Sequence, residues 1–528
     1  MHIIHKVRIY TQNPARPFAE ALAIHHGRII ACGSLGEVES YQIPGTTRQD
    51  GRGAFLIPGF TDAHIHLQQY AEAQMMVDCE TSTLQECLSR VAQRAAAAAP
   101  GEWILGHGWN QHNWAEGFGS AKMLDAAAPH NPVYLTAKSL HAGWCNSAAL
   151  KAMGVDANTP DPQGGHFGKD AYGNPDGILY ESAMACIEPY IPETTVEGTA
   201  ADLQAAQHSL WQYGITGVHD FDITQCFQAL QYVHREGLLR LRVVKSIPLE
   251  KLSSAIDTGL QTGFGDDMLR VGSVKLFADG ALGPRTAAML SPYENDPDNQ
   301  GMLFLDQEEV FEYGRKASAA GISMAVHAIG DRANHEAVNG FARLRDYEQE
   351  NQLPRLRHRI EHVQVLHPDD IKRLAQLDIT ASMQPVHLPS DWQAANRNWG
   401  SRSGNAFIFR SLLKAGTALA FGSDAPVESP NPFWGIHAAI TRTNADAKPE
   451  GGWYPDQKLT LEEAIHGFTA GAAWAAGSEQ KLGRIMPGYF ADLVMLPQDI
   501  FNLPADELRD LKPLATIVNG EWVWQAFE

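Results

Sequence analysis

The sequence predicts an α/β protein: a (β/α)8 TIM barrel with a large insertion after its first strand, and a small β-sandwich domain built from both chain termini. Three observations lead there. Short β-rich runs alternate with amphipathic stretches from residue 200 onward, about 150 residues separate the first barrel-like run from the second, and both chain ends read as short strands broken by Gly and Asn turns.

At the ends, "HKVRIYT", "ALAIHHGRIIACGS" and "TTRQDGRG" lie within residues 1–57, and "GRIMPGYFADLVML" and "ATIVNGEWVWQ" within 483–528. These two segments are assigned to one composite β-domain, and residues 58–482 to the barrel. The first barrel strand is read in "AFLIPGFTDAH". It is followed by "GITGVHD", "LRVVKSI", "VGSVKLFAD", "GISMAVHAIGD", "HRIEHVQV", "DITASMQP" and "ALAFGSD", which makes eight. Amphipathic segments such as "EEVFEYGRKASAAG", "ANHEAVNGFARLRDYEQE", "DDIKRLAQL" and "FIFRSLLKAG" lie between them, each long enough to return the chain across a parallel sheet. A doubly wound sheet is the alternative, but no GxGxxG follows the first strand.

The insertion, about residues 68–198, far exceeds an ordinary βα connection. It carries helix and strand signals in "TLQECLSRVAQRAAAAA", "WILGHGWNQHNW" and "NPVYLTAKSLHAGWCNSAALKAMG". Because it leaves the C-terminal end of strand one, it is expected over the barrel mouth, where barrel enzymes place their chemistry.

Bulk properties narrow the function. A chain of 528 residues is too long for one ordinary core, and its 44% hydrophobic and 19% charged residues are those of a soluble globular protein. No apolar run of about 18 residues is present, so no membrane partner is expected. The N-terminal "MHIIHKVRIYTQNPARP" has no apolar signal core, which predicts a cytoplasmic protein. A formal net charge of −20 opposes binding to nucleic acid. The six cysteines form no CxxC pair and are expected as reduced thiols.

In "GFTDAHIHL", strand alternation turns His64 and His66 to one side, spaced to share a cation. In a chain with 22 histidines that pair alone is weak. Lys275, His327, His362 and Asp424, however, stand at the C-terminal ends of the fourth, fifth, sixth and eighth strands, which a barrel brings to one mouth. Singly, His327 and His362 also read as hydrogen-bonded interior residues, and Asp424 as a turn former. Together the six point to a metal centre.

"GFTDAHIHL", "VKLFADGALGPRTA", "VHAIGDRA", "RIEHVQ", "GSDAPV" and "LGRIMPGYFADLVML" resemble the amidohydrolase superfamily, specifically the YtcJ-like amidohydrolase family 3 branch that includes N-substituted formamide deformylases. The resemblance runs over nearly the whole chain, with "GWNQHNW" and "HAGWCNSAAL" of the insertion included. One departure is "ALGPRTA", with Pro284 where a serine is expected before Arg285. The resemblance implies a divalent metal cofactor, zinc by its ligands, as one or two ions. His64 and His66 would hold the first with Asp424, and His327 and His362 the second. Lys275, carboxylated by carbon dioxide, would bridge a two-metal site; an ion pair between Lys275 and Asp279 is the alternative.

The implied activity is hydrolysis of a C–N bond in an amide, N-acyl or N-formyl small molecule by metal-activated hydroxide, with Asp424 as catalytic acid–base. A homodimer is the implied assembly. His141, Glu181, His219 and Arg285 are the substrate-contact candidates, with ordinary surface or packing roles as the alternative, and Trp109, Trp114 and Trp144 are candidates either to line an apolar pocket or simply to pack. Deamination of a heterocyclic base is the rival reaction, since the same attack serves a ring C=N carbon. A catalytically silent, oligomerising barrel is the rival of another class, but it would be expected to have lost ligands, and all six are retained.

Overall fold

The run read as the first strand serves two sheets. In the computed structural model, which describes residues 1–111, 114–138, 142–192 and 194–526, Phe55–Pro58 pairs with Leu493–Leu496 in the terminal sheet, and Phe60–Ile65 is the first barrel strand. The chain passes from one sheet to the other at Gly59, where a Cβ would come within 2.3 Å of the Thr216 hydroxyl. Only glycine allows that approach.

The barrel strands are β1 (Phe60–Ile65), β2 (Ile215–Asp220), β3 (Arg242–Pro248), β4 (Leu269–Phe277), β5 (Met324–Ala328), β6 (Arg359–His362), β7 (Thr380–Met383) and β8 (Leu419–Phe421). Hydrogen-bond order follows chain order, every neighbouring pair is parallel, and a bridge from Ile65 to Ala425 draws β1 to the end of β8. Along β4, alternation sends fully buried Val274 and Leu276 to one face and Ser273 and Lys275 to the other. The predicted helices form at Gln307–Ala319, Asp331–Glu350, Ile371–Gln376 and Phe409–Ala415. The first of these is started by a capping box between Asp306 and Glu309.

Both termini build one β-domain, but hydrogen bonding joins its strands into a single eight-stranded sheet rather than the two sheets of the expected sandwich. The reason is Phe55–Pro58, which bonds to His2–Tyr10 on one edge and Leu493–Leu496 on the other and so makes the two halves continuous. Ile4, Leu22, Leu56, Leu493, Met495 and Ile517 form its apolar core.

Residues Ala71–Asp202 form a compact unit by themselves, close to the predicted insertion bounds. This unit holds a mixed six-stranded sheet. All six cysteines are free thiols. Among the described residues, no helix is long and apolar enough to cross a membrane.

Candidate metal centre

Six side chains from five strand ends meet at one point. His64 Nε2 and His66 Nε2 each lie 3.4 Å from Asp424 Oδ1, and Lys275 Nζ lies 3.5 Å from His64 Nε2. The His362 ring sits 5.0 Å from that of His64 and 4.5 Å from that of His327, centroid to centroid. One ligand atom from each of His64, His66 and Asp424 falls within 4.8 Å of the others, and so does a second set, His362, His387 and Asp424.

The backbone fixes this convergence. Asp424 N–H donates to the His64 carbonyl at 2.7 Å and His66 N–H to the Ala425 carbonyl at 2.9 Å, tying the loop after β8 to β1. Buried Asp62 accepts the N–H groups of His64 and Ser423, both at 3.0 Å. His362 and Asp424 both adopt left-handed backbone, with φ of 73° and 62°, a conformation costly for any residue but glycine and concentrated at functional sites. At His362 the turn has a direct consequence. Adjacent residues on a strand face opposite ways, yet Glu361 and His362 both reach the cluster.

Each histidine is anchored through one ring nitrogen. His64 Nδ1 bonds Glu361 Oε2 at 2.6 Å, His66 Nδ1 bonds Asp222 Oδ1 at 3.3 Å, His362 Nδ1 bonds Gln384 Oε1 at 2.8 Å, and His327 Nε2 donates to the Gly280 carbonyl at 3.0 Å. Such partners set the tautomer and aim the other nitrogen. Glu361 is itself held by Arg359, whose guanidinium also bonds the Ala63 carbonyl and Ser382.

Burial, reinforced by the Lys275 charge, lowers His64 to about 4 and His327 to about 3; burial and His327 hold His362 well below the usual imidazole range. These rings are neutral at pH 7, the form that binds metal. Burial opposes charge on His66 too, but Asp222 and Asp424 outweigh it and raise the ring to about 9. Burial likewise opposes charge on Asp424, and His387 and His66 overcome it and keep the carboxylate ionised. His66 is therefore a cation in the metal-free site and would give up its proton on taking an ion, while the neutral nitrogens of His64, His327 and His362 and the Asp424 carboxylate are donors that fit a divalent cation.

Burial lowers Lys275 to about 8 against the opposing pull of Glu361 and Asp424. Its expected alternative partner is engaged elsewhere: Asp279 accepts the backbone N–H groups of Ala288, Ile329 and Gly330 at 2.8, 3.0 and 2.8 Å. Lys275 Nζ instead overlies the Phe221 ring, 4.4 Å from its centroid.

The substrate-contact candidates are not gathered in this way. Arg285 pairs with Asp296 at 2.9 Å on an exposed turn, and His219 is buried inside the barrel with Nδ1 hydrogen-bonded by Arg359 at 2.9 Å. Trp109, Trp114 and Trp144 follow the packing alternative. They pack in the insertion's own core with centroids 6.0–6.3 Å apart, Trp109 stacked on Trp114 and both edge-on to Trp144, and are at most 4% exposed. Glu181 is an exposed residue of the insertion, and His141 lies outside the described residues.

His387, Glu361, Asp222 and Gln384 belong to the site and escaped the sequence reading. "QPVHLP", directly after β7, carried a signal for His387 of the same kind that marked the other strand ends.

The amidohydrolase family model matches residues 49–524. The putative amidohydrolase YtcJ of Bacillus subtilis is 32% identical over 98% of this chain and 98% of its own length. N-substituted formamide deformylase of Arthrobacter pascens is 28% identical over 98% of this chain and 97% of its own. The crystal structure of an uncharacterized metal-dependent hydrolase from Pyrococcus furiosus superposes with a TM-score of 0.78 at 27% identity, covering 94% of this chain and 99% of that one.

Proposed function

The chain belongs to the amidohydrolase family and is a hydrolase, and on that premise we propose that it cleaves the C–N bond of an amide, N-acyl or N-formyl small molecule at a divalent metal centre, with zinc as the ion. The observation that carries this reading is the sharing of Asp424 Oδ1 by His64 Nε2 and His66 Nε2, 3.4 Å from each, beside a buried lysine. The N-substituted formamide deformylase relative supports the N-formyl class.

His64, His66 and Asp424 would hold one ion, and His327 and His362 a second, with Lys275 between them. Bound there, a divalent ion supplies Lewis acidity, lowering the pKa of water and polarising a carbonyl. Asp424 takes the proton from the attacking water and returns it to the leaving nitrogen, which then departs as an amine rather than an anion. His387, against Asp424 Oδ2 at 3.4 Å, steadies the carboxylate while it does so. Glu361 keeps the His64 ring in one tautomer and one orientation.

Lys275 is suited to carboxylation. With a pKa of about 8, roughly a tenth of it is neutral at pH 7, against well under a thousandth of an ordinary lysine. The amine lone pair forms the N–C bond to carbon dioxide and one proton is released, so a negative carbamate replaces a cation beside two histidine pairs.

Assaying the metal-loaded protein against N-formyl, N-acyl, cyclic-amide and nucleobase substrates tests the proposal. Release of formate or another carboxylate with stoichiometric amine supports it. Ammonia released from nucleobases alone makes the protein a deaminase, and no turnover of any substrate with any divalent ion overturns the reading.

A further inference from the structure

The N-terminal half of the barrel interior contains a cavity of about 240 Å³ whose lining includes Ser246, Thr262, Arg270, Ser273, Ser323 and Phe221. Barrel interiors are ordinarily filled by branched apolar side chains; here short hydroxyl side chains leave space. The Phe221 ring forms the partition between this cavity and the histidine cluster: His64 stacks on it at 4.2 Å between centroids, and Lys275 Nζ overlies it at 4.4 Å.

The charge around the cavity is one-sided. Four arginines line it, at 270, 355, 357 and 359, and no carboxylate does. Three are neutralised by carboxylates behind them: Arg355 by Asp378 at 3.3 Å, Arg357 by Glu479 at 2.5 Å, and Arg359 by Glu361. Arg270 differs. Its two terminal nitrogens donate to neutral acceptors, Ser478 Oγ and the Ala476 carbonyl, each at 2.7 Å, its Nε is buried with no hydrogen-bond partner, and Asp267 and Glu479, which pair with Lys481 and Arg357, act on it only at longer range. The serine hydroxyls add donors that can rotate, with Ser323 Oγ 2.8 Å from Ser273 Oγ, while Thr262 Oγ1 donates to the Gly272 carbonyl at 2.8 Å. A partly desolvated guanidinium with no carboxylate in contact is an unfavourable arrangement by itself, and an anion in the cavity relieves it through its charge.

We propose that this cavity binds a small oxyanion of the carboxylate or bicarbonate class, held by Arg270 and the serine hydroxyls. At roughly 30 Å³ per water the space equals about eight waters, enough for an anion of three or four heavy atoms with its hydration and too small for a nucleotide. The occupant comes either from dissolved bicarbonate or from a small carboxylate released by hydrolysis. The site itself does not depend on the hydrolase reading.

The test is calorimetric titration of the full-length holoenzyme with bicarbonate and, separately, with formate, for wild type, Arg270→Gln and Ser246→Leu. Saturable binding is expected in wild type, weakened about tenfold or more in Arg270→Gln by loss of a charge-assisted bond, and weakened similarly in Ser246→Leu by filling of the space. Substrate kcat should stay at the wild-type value in both variants. Tighter binding of bicarbonate identifies the dissolved ion as the occupant, and tighter binding of formate identifies a carboxylate. Wild-type affinity in both variants overturns the proposal, because the anion then binds at the metal; absence of saturable binding in wild type overturns it as well. Ser246→Leu keeps every charge and decides the matter alone if Arg270→Gln does not fold.

Discussion

His387 Nε2 lies 3.4 Å from Asp424 Oδ2, on the carboxylate oxygen opposite the one that faces His64 and His66. With both oxygens engaged, the group that must move a proton is held in one rotation. Asp424→Asn is expected to reduce kcat by about 10²- to 10⁴-fold, the range for a lost acid–base. His387→Ala is expected to cost about 10- to 100-fold in kcat with metal content and KM little changed, as for an orienting partner. Elemental analysis alongside steady-state kinetics separates the two roles, and an unaltered kcat in His387→Ala would reduce this contact to an incidental one.

Glu361 is fully buried between His64 and Arg359. Removing its charge leaves the Arg359 cation without its carboxylate, so Glu361→Gln is expected to lose about 3–5 kcal/mol in denaturant unfolding. Chelator competition should show metal affinity about 10- to 100-fold weaker. Burial works against ionisation, but Arg359 and His64 hold the folded-state pKa of Glu361 well below its usual value. Its stabilising contribution is therefore complete above the ordinary Glu range, near 4.3, and disappears as pH falls through the depressed folded value. The variant should show a shallower acid limb of stability than wild type; identical limbs would contradict the assignment.

The Lys275 reading predicts a pH profile for reconstitution. Carboxylation needs the neutral amine, and burial places that equilibrium at about 8 in the metal-free protein. At fixed dissolved carbon dioxide, recovery of activity on adding zinc should quicken about tenfold per pH unit below 8 and level off above it. A rate still climbing tenfold per unit toward pH 10 would indicate an ordinary exposed lysine.

Gly422, two residues before Asp424, packs against β1 so closely that a Cβ would stand 2.4 Å from His64 N and 2.6 Å from Asp62 Oδ1. Gly422→Ala must push the β8 loop away from His64. A loss of about 1–3 kcal/mol is expected, together with weaker metal binding, measurable by thermal unfolding and metal titration. Unchanged metal affinity would show that the loop gives way without disturbing the ligands.

The barrel was legible because its elements are local in sequence: each strand is a short apolar run, each helix an amphipathic one, and their alternation leaves few topologies. The ligand candidates were legible for a related reason, since position at a strand's C-terminal end specifies a place in space once the barrel is granted. Glu361 was not, because regular strand alternation turns it away from its neighbour His362, and only the left-handed backbone at His362 lets both side chains reach the cluster. For the tryptophans the sequence left two roles open. Their clustering in sequence was real, but aromatic residues that lie close together serve a core as readily as a pocket, and here they fill the insertion's interior.

The sequence by itself determined the family, the order of the barrel strands and the six residues at their ends, because periodicity and motif spacing are properties of the chain. Tertiary structure alone decided which partners orient each imidazole, that Asp279 is spent on backbone amides rather than on Lys275, that His387 stands on the far oxygen of Asp424, and that Arg270 lines a cavity with only neutral acceptors in contact. Those relations join residues from well-separated parts of the chain, and distance, burial and charge between such groups exist only once the chain has closed on itself.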